Sequence, residues 1–579
     1  MDKRELANKI LALEGLSNDE KSALLGLLHE QKKYGLVWED KPEDVELQMA
    51  RELPVLTEVK ERAITSEDEN APNHILIEGD NLHALTALTY THAGKIDVIY
   101  IDPPYNTGNK DFVYNDRYVD KEDSYRHSKW LSFMSRRLEM VKQLLTEEGV
   151  VFTSIDDNEQ AQLKMLCDEV FGENNLLGII TWESTTQPIN AGSAKYQLQQ
   201  KCEYILCYAK NKNNKHTFLL KTFTKEAKYP HKGKFGPCRF EIIEKSDAGQ
   251  YKRDSMKFKI LGQSPRVGKR WQIGEELARK LERQGRFEIV DGIVKRAVYP
   301  SDEQNGDNYI PFWSHLTASD VGTALNGKEE LNTIMGKALG FDTVKPIRLI
   351  IEILSHFATN VTILDFFAGS GTTLHATMQL NADDGGHRQC ILVTNNENNI
   401  CEEVTYERNR RVIQGYTTPK GEKIEGLHSN NLRYYRTDFV PRVRTIANMR
   451  ALTNAATDLL CIKNNVYQEV GAFGGRKIPA KIARYFDDGK TKMLVIYAEV
   501  YVPYFVEMLR NMAVDGRILV YVFSNSNYAY DDDFEEVLDK VELCALPDAI
   551  YKAYKKVLRP VKAAQGTDEA ADAGEEDAQ

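Results

Sequence analysis

The sequence predicts an α/β protein built on a doubly wound parallel sheet, and three observations carry that expectation. The run Ile96-Asp97-Val98-Ile99-Tyr100-Ile101 is β-branched and aromatic, of strand length, and is stopped by Asp102-Pro103-Pro104-Tyr105. A second apolar run, from Val361 to Phe367, leads directly into Ala368-Gly369-Ser370-Gly371-Thr372-Thr373 and a helical pattern. Around both runs strand-like and helix-like segments alternate, as βαβ units do.

Taken in order, residues 1–57 read as an N-terminal helical region, with the capping-box pattern Ser17-Asn18-Asp19-Glu20 ahead of Leu24, Leu25, Leu27 and Leu28. A polar stretch over 58–72 reads as a linker. Residues 70–212 form the first half of the main domain. Ile75-Leu76-Ile77 runs into Glu78-Gly79-Asp80-Asn81 and a helical face of Leu82, Leu85 and Leu88. After the Asp102 strand come Phe112, Tyr114 and Tyr118, then an amphipathic helix carrying Trp130, Leu131, Met134, Leu138, Val141 and Leu145. Strands follow over 150–155, closing on Asp156 and Asp157, and over 176–182 and 204–208.

The alternation breaks near 212, and residues 213–310 are expected to be a separate domain. Net charge over the whole chain is −11, yet residues 216–300 hold 20 Lys and Arg against 10 Asp and Glu. A basic segment in an acidic chain is either a solvated insertion or a module that reads nucleic acid. Residues 311–420 resume the main domain. Lys345-Pro346 opens a helix with Ile347, Ile350, Leu354 and Phe357, the glycine-rich turn follows, and a strand over 390–393 ends at Asn395-Asn396-Glu397. Residues 421–560 read as a smaller α/β domain with no catalytic cluster, and 561–579 as a disordered acidic tail.

With 579 residues the chain is too long for one core, and its 42% hydrophobic and 28% charged content is ordinary for a water-soluble protein. No apolar run approaches the roughly 20 residues of a membrane span. Met1-Asp2-Lys3-Arg4-Glu5 lacks the apolar core of a signal peptide. The eight cysteines are scattered without a CxxC pair, which suggests buried reduced thiols in a cytoplasmic protein; no metal site is expected.

In open α/β sheets the ligand crevice lies at the carboxyl ends of the strands, where Asp102 to Tyr105 fall. An Asp-Pro-Pro turn is also an ordinary strand breaker. The chemistry that needs this set is methylation of a nucleobase amino group, whose lone pair is delocalised into the ring. Asp102 and the carbonyl of Pro103 can each accept a hydrogen bond from that amine, and proline holds the turn rigid. Two such acceptors favour a pyramidal, more nucleophilic nitrogen. Tyr105 supplies a face on which a flipped base can stack. The second motif places glycines at a helix N-terminus, where backbone can approach a ligand closely. Leu374 stands where a dinucleotide fingerprint needs its third glycine, and there is no P-loop. S-adenosylmethionine, without phosphates, suits such a turn. Its ribose needs an acid at the end of the following strand, where Glu397 lies.

DPPYNTGNKDF, preceded by GDN and followed at long range by KP and DFFAGSGTT, resembles the β-class amino-methyltransferases, and most closely the modification subunits of type III restriction systems. The resemblance implies a circularly permuted, Rossmann-like methyltransferase sheet, an inserted target-recognition domain over 213–310, and S-adenosylmethionine-dependent N6 methylation of adenine in double-stranded DNA. It implies a catalytic tetrapeptide of Asp102, Pro103, Pro104 and Tyr105. The implied cofactor-binding set is Asp80, Asn81, Lys345, Pro346, Asp365, Phe366, Phe367, Ala368, Gly369, Gly371, Thr372 and Glu397, with Lys345-Pro346 on the helix beside the methionine moiety. Lys252, Arg253, Lys269 and Arg270 are the DNA-binding candidates in the basic segment. A homodimer is implied, with a separate helicase–nuclease chain for any restriction and residues 421–560 as the surface for self-association or that partner. Cytosine-N4 methylation and a catalytically silent DNA-binding subunit are the competing readings.

Overall fold

The computed structural model describes residues 36–109, 111–115, 117–188, 196, 198–214, 218, 220–223, 229–248, 253–303, 309–340 and 343–558. The capping box at 17–20, Lys252 and the acidic tail lie outside these residues. The chain forms two compact units, one of Leu219–Trp313 and the other of the chain on either side of it.

The larger unit is organised by a ten-stranded sheet. Its strands are β1 (Glu52–Glu58), β2 (Asn73–Glu78), β3 (Ile96–Ile101), β4 (Leu145–Ile155), β5 (Leu176–Glu183), β6 (Cys202–Ala209), β7 (His315–Leu316), β8 (Thr362–Asp365), β9 (Gln389–Thr394) and β10 (Asn431–Pro441). They lie in the order β1-β10-β2-β9-β8-β3-β4-β6-β5-β7. From β10 to β4 every neighbouring pair is parallel. Such strands are covered on both faces and so must be apolar throughout; β3 has one partly exposed position, Asp97, whose carboxylate accepts from the Thr362 amide (2.9 Å) and ties β3 to β8. The helices of this unit include α1 (Asp44–Met49), α2 (Asn81–Thr91), α3 (Arg126–Leu144), α4 (Gln160–Cys167), α5 (Ala324–Met335), α6 (Ile347–Leu354), α7 (Thr372–Asp384) and α8 (Glu407–Gln414).

The structure departs from the sequence reading at the sheet's margins. β6 runs antiparallel to both β4 and β5, and β1 antiparallel to β10, so the sheet is mixed. Residues 421–560 are not separate from the main sheet: β10 lies inside it, paired with β2 from Asn73↔Asn431 to Glu78↔Arg436. Its sequence, NLRYYRTDFVP, alternates only in part, which is why it does not announce itself as a core strand. The expected linker over 58–72 carries a 3₁₀ turn at Lys60–Arg62 and a bridge between Ile64 and Leu432.

Beyond β10 a five-stranded sheet runs Glu469–Val470, Ala483–Asp487, Lys492–Ile496, Ile518–Phe523, Val541–Leu546. Phe473, Phe505, Leu509, Val520 and Val537 fill one side of it. The region is joined to the main sheet by the Tyr554 hydroxyl on the Pro54 carbonyl (2.6 Å) and the Glu58 amide on Asp458 (2.9 Å).

The smaller unit is a four-stranded antiparallel sheet in the order His231–Gly233, Gly236–Ile242, Ile293–Val298, Phe287–Val290. Its core gathers Ile243, Ile260, Trp271, Ala278, Leu281, Phe287 and Val294, with Ala278 and Leu281 from the helix Glu275–Arg283. Among the described residues no helix is long and apolar enough to cross a membrane.

Candidate active site

The two sequence motifs meet because β3 and β8 are neighbours, with Ile363 beside Val98 and Leu364 beside Ile99. Both chains leave the sheet at the same edge, one as Asp102-Pro103-Pro104-Tyr105 and the other as the glycine-rich turn. The carboxyl ends of β9 and, beyond it, β2 lie beside that turn on the side away from β3: the Ala368 amide donates to the Val393 carbonyl (3.1 Å) and the Gly79 amide to that of Thr394 (3.0 Å).

The turn is shaped by two glycines in the left-handed region, Gly369 (φ 46°) and Gly371 (φ 74°). A side chain at Gly371 would strike Asn409 and Thr405 as well as being strained. The Thr405 hydroxyl donates to the Gly369 carbonyl (2.5 Å). Asp365 is buried beneath, accepting from the Phe367 amide (3.0 Å) and the Thr373 hydroxyl (2.6 Å); burial pushes its carboxyl up to about 7. Phe366 is fully buried and Phe367 packs on Phe133. Thr372 is buried under the fully buried Arg408, which donates to its hydroxyl (2.7 Å).

At the end of β2 Asp80 caps α2 through the Leu82 amide (2.7 Å). Asn81 donates to the Phe366 carbonyl (3.1 Å) and accepts from the Nε of Arg137 (2.6 Å). Arg137 is fully buried on α3, paired with Glu43 at 2.8 Å. Burial raises the Glu43 carboxyl above its ordinary value against the pull of Arg137. Glu397 is exposed just past β9, in a loop where Asn398 and Asn399 both take positive φ.

At the tetrapeptide, Pro103 is buried and the Pro104 carbonyl is held by the Trp130 indole (2.7 Å). Asn106, which follows Tyr105 with φ 57°, is fully buried and donates to Glu159 (2.6 Å). Glu159 is also buried, and its carboxyl is pushed up to about 8 by desolvation; His127 lies 2.6 Å from it. The Tyr105 hydroxyl is 2.9 Å from both Asp102 and Glu203, and burial raises it well above the usual phenol range.

Lys345 is placed differently from the expectation. Its side chain reaches the tetrapeptide: Nζ donates to both carboxylate oxygens of Asp102 (2.9 Å each) and to the Tyr105 hydroxyl (2.8 Å). Pro346 caps α6 in the extended conformation, and the Ile347 amide donates to Glu330 (3.1 Å). Gly327 on α5 lets that helix press against the backbone from Val344 to Pro346, where a Cβ would overlap it.

Among the DNA candidates, Arg253 is exposed. Lys269 and Arg270 lie on a short strand paired with Glu244–Ser246, but Arg270 is largely covered and faces Asp247 at 3.7 Å, so it serves that unit's interior. The sequence reading missed Glu203, Arg137, Glu43, Thr373 and Glu159. Arg137 had left a signal: it falls between Met134 and Val141 on the apolar face of α3, where an arginine needs a buried partner.

A family model described as DNA methylase matches residues 96–407. The chain is 33% identical over 361 residues to the type III restriction-modification enzyme StyLTI Mod subunit of Salmonella typhimurium, covering 57% of this chain and 53% of that one. It is 30% identical to the type III restriction-modification enzyme EcoP15I Mod subunit of Escherichia coli, covering 63% of this chain and 64% of that one. It is also 30% identical to the type II methyltransferase M.KpnI of Klebsiella pneumoniae, covering 58% of this chain and 84% of the relative. The matches thus span between half and two thirds of the two Mod subunits. The family match takes in more than half of the chain and contains both the Asp102 tetrapeptide and the Gly369–Gly371 turn, so the chain belongs to the N6/N4 DNA methylase family.

Proposed function

We propose that this chain methylates N6 of adenine in duplex DNA with S-adenosylmethionine as donor, as the modification subunit of a type III restriction-modification system. The adjacency of β3 and β8 carries the reading, because it sets an acidic acceptor beside a ligand-binding turn in one crevice. The residues fit the donor. Its acceptors would be carboxylates, Asp80 and Glu397, past the ends of β2 and β9 and beside a turn whose glycines bring backbone close, and Phe366 and Phe367 make the floor apolar. That set suits hydroxyls and a cationic centre rather than a polyphosphate.

Bound there, S-adenosylmethionine supplies an activated methyl whose C–S bond breaks as the N6–C bond forms. Asp102 accepts a hydrogen bond from the target amine and draws its lone pair out of conjugation. It is also the nearest acceptor for the proton N6 must then lose. The tetrapeptide is kept in place by Trp130 on Pro104 and by Glu159 on Asn106. Tyr105, anchored at its hydroxyl, offers its ring to the flipped base. Sequence choice is assigned to the Leu219–Trp313 unit, with Arg253 and Lys269 among the groups that meet DNA phosphates.

The subunit acts as a homodimer in the cytoplasm, where its eight free cysteines stay reduced, and restriction belongs to a separate helicase–nuclease chain. The test is incubation of duplex DNA with labelled S-adenosylmethionine, followed by digestion to nucleosides. N6-methyl-2′-deoxyadenosine supports the proposal, N4-methyl-2′-deoxycytidine replaces it with the rival amine, and no label makes the chain a silent subunit. Solution mass and an ATPase assay on the same preparation test the dimer and the absence of a motor.

A further inference from the structure

Resting on the methyl-transfer reading, one arrangement goes beyond it. The ammonium of Lys345, a buried residue (7% exposed), is surrounded by four oxygen atoms: both of Asp102 (2.9 Å each), the Tyr105 hydroxyl (2.8 Å) and Glu203 Oε2 (3.2 Å). An ammonium has three protons, and the Tyr105 hydroxyl has one to share between Asp102 and Glu203. The set is therefore degenerate, and the lysine is satisfied with its weight on either carboxylate.

The second carboxylate is a product of the fold. β6 runs antiparallel to β4, so its first residues, Cys202 and Glu203, arrive at the edge where β3 and β4 end. Trp182, directly across from Glu203 on β5, is locked by its indole on the Gly322 carbonyl (2.9 Å), and its ring lies 5.6 Å from Nζ. The amine of a target base is also an N–H donor, and it needs the Asp102 oxygens that Lys345 now fills. Were Asp102 its only carboxylate, moving the buried ammonium off it would strand a charge in a low-dielectric site; Glu203, 3.2 Å away, is the second.

We propose that Lys345 is a place-holding cation that is handed from Asp102 to Glu203 when the target amine enters, with Glu203 a positioning residue for the reaction. The handover keeps every charge paired. It empties Asp102 only when another donor replaces the lysine, so the carboxylate is never left without a partner.

The test is a double-substitution cycle, read as single-turnover methyl incorporation into plasmid DNA that the wild-type chain methylates. Glu203→Gln leaves Lys345 with Asp102 alone and slows transfer by on the order of tenfold. Lys345→Met leaves two carboxylates unneutralised and slows it on the same order. Combining them frees Asp102 of the lysine, with the Tyr105 hydroxyl its remaining donor, and restores the charge balance of the wild type, so the double variant is faster than either single one. S-adenosylmethionine affinity by calorimetry and thermal melting confirm that each variant is folded, with Lys345→Gln as the replacement should the methionine variant fail. Losses that multiply in the double variant, or a Glu203→Gln enzyme at wild-type speed, overturn the handover while leaving methyl transfer by Asp102 intact. A wild-type chain that transfers no methyl group removes the underlying reading and the handover with it.

Discussion

Replacing Arg137 with Met tests whether the cofactor side of the crevice depends on a buried ion pair. The guanidinium is fully buried and donates to Asn81 Oδ1 (2.6 Å), to Glu43 (2.8 and 3.1 Å) and to the Phe133 carbonyl (2.8 Å). Glu43, 5% exposed, would be left charged without its cation. Removing one partner of such a pair costs about 3–5 kcal/mol, whereas replacing both by apolar groups is often neutral. The expected outcome is a loss of about 3–5 kcal/mol in the urea unfolding transition of the larger unit, most of it recovered by adding Glu43→Leu. Because Asn81 also holds the Phe366 carbonyl, the single variant should bind S-adenosylmethionine more weakly even where it remains folded. A loss below about 1 kcal/mol, the scale of an exposed pair, would refute the buried-pair argument.

Glu397→Ala should weaken S-adenosylmethionine binding by about 1.5–3 kcal/mol, the worth of hydrogen bonds to a charged group, and unchanged affinity by calorimetry would make Glu397 a bystander. Neutralising Arg253 and Lys269 should flatten the salt dependence of DNA binding by about 0.9 log–log units for each phosphate that the variant no longer neutralises, while Arg270→Ala should instead lower that unit's stability by exposing Asp247. Stability should also fall with rising pH through Glu159. Its carboxyl is pushed up to about 8 by burial, so the contribution is complete below its ordinary value of 4.5 and is lost as pH rises through 8. Its share of the slope is up to about 1.4 kcal/mol per pH unit, and Glu159→Gln should remove that share while leaving the one due to Asp365, whose carboxyl is pushed up to about 7. A wild-type curve as flat between pH 5 and 8 as that of the glutamine variant would contradict the burial argument.

Much of the centre of the fold was legible. β3, β8 and β9 are buried parallel strands, so their largely apolar runs, broken in β3 only by Asp97, and the breakers that end them can be read directly from the sequence. The margins were less so. β10 mixes Arg, Asp and Thr with its tyrosines because it borders an edge strand, and only its pairing with β2 shows that it belongs to the sheet. The tetrapeptide and the glycine turn could be placed because their chemistry is local. Glu203 could not: its role depends on β6 running antiparallel, which brings it beside a residue 101 positions earlier in the chain. Lys345 was recognised by its Lys-Pro dipeptide but assigned to the cofactor, because a backbone position at the start of α6 says nothing of where a four-carbon side chain ends. Arg270 read as a surface cation, and only the structure sets it against Asp247.

The central claim is that the Asp102 carboxylate is the acceptor that activates the target amine. Single-turnover methyl transfer by Asp102→Asn, with S-adenosylmethionine affinity measured on the same preparation, tests it most directly. Asparagine keeps the shape and one acceptor but not the charge. The predicted result is a rate lower by on the order of 10²-fold or more with the donor bound as in the wild type. A variant that transfers methyl groups at the wild-type rate would contradict the claim.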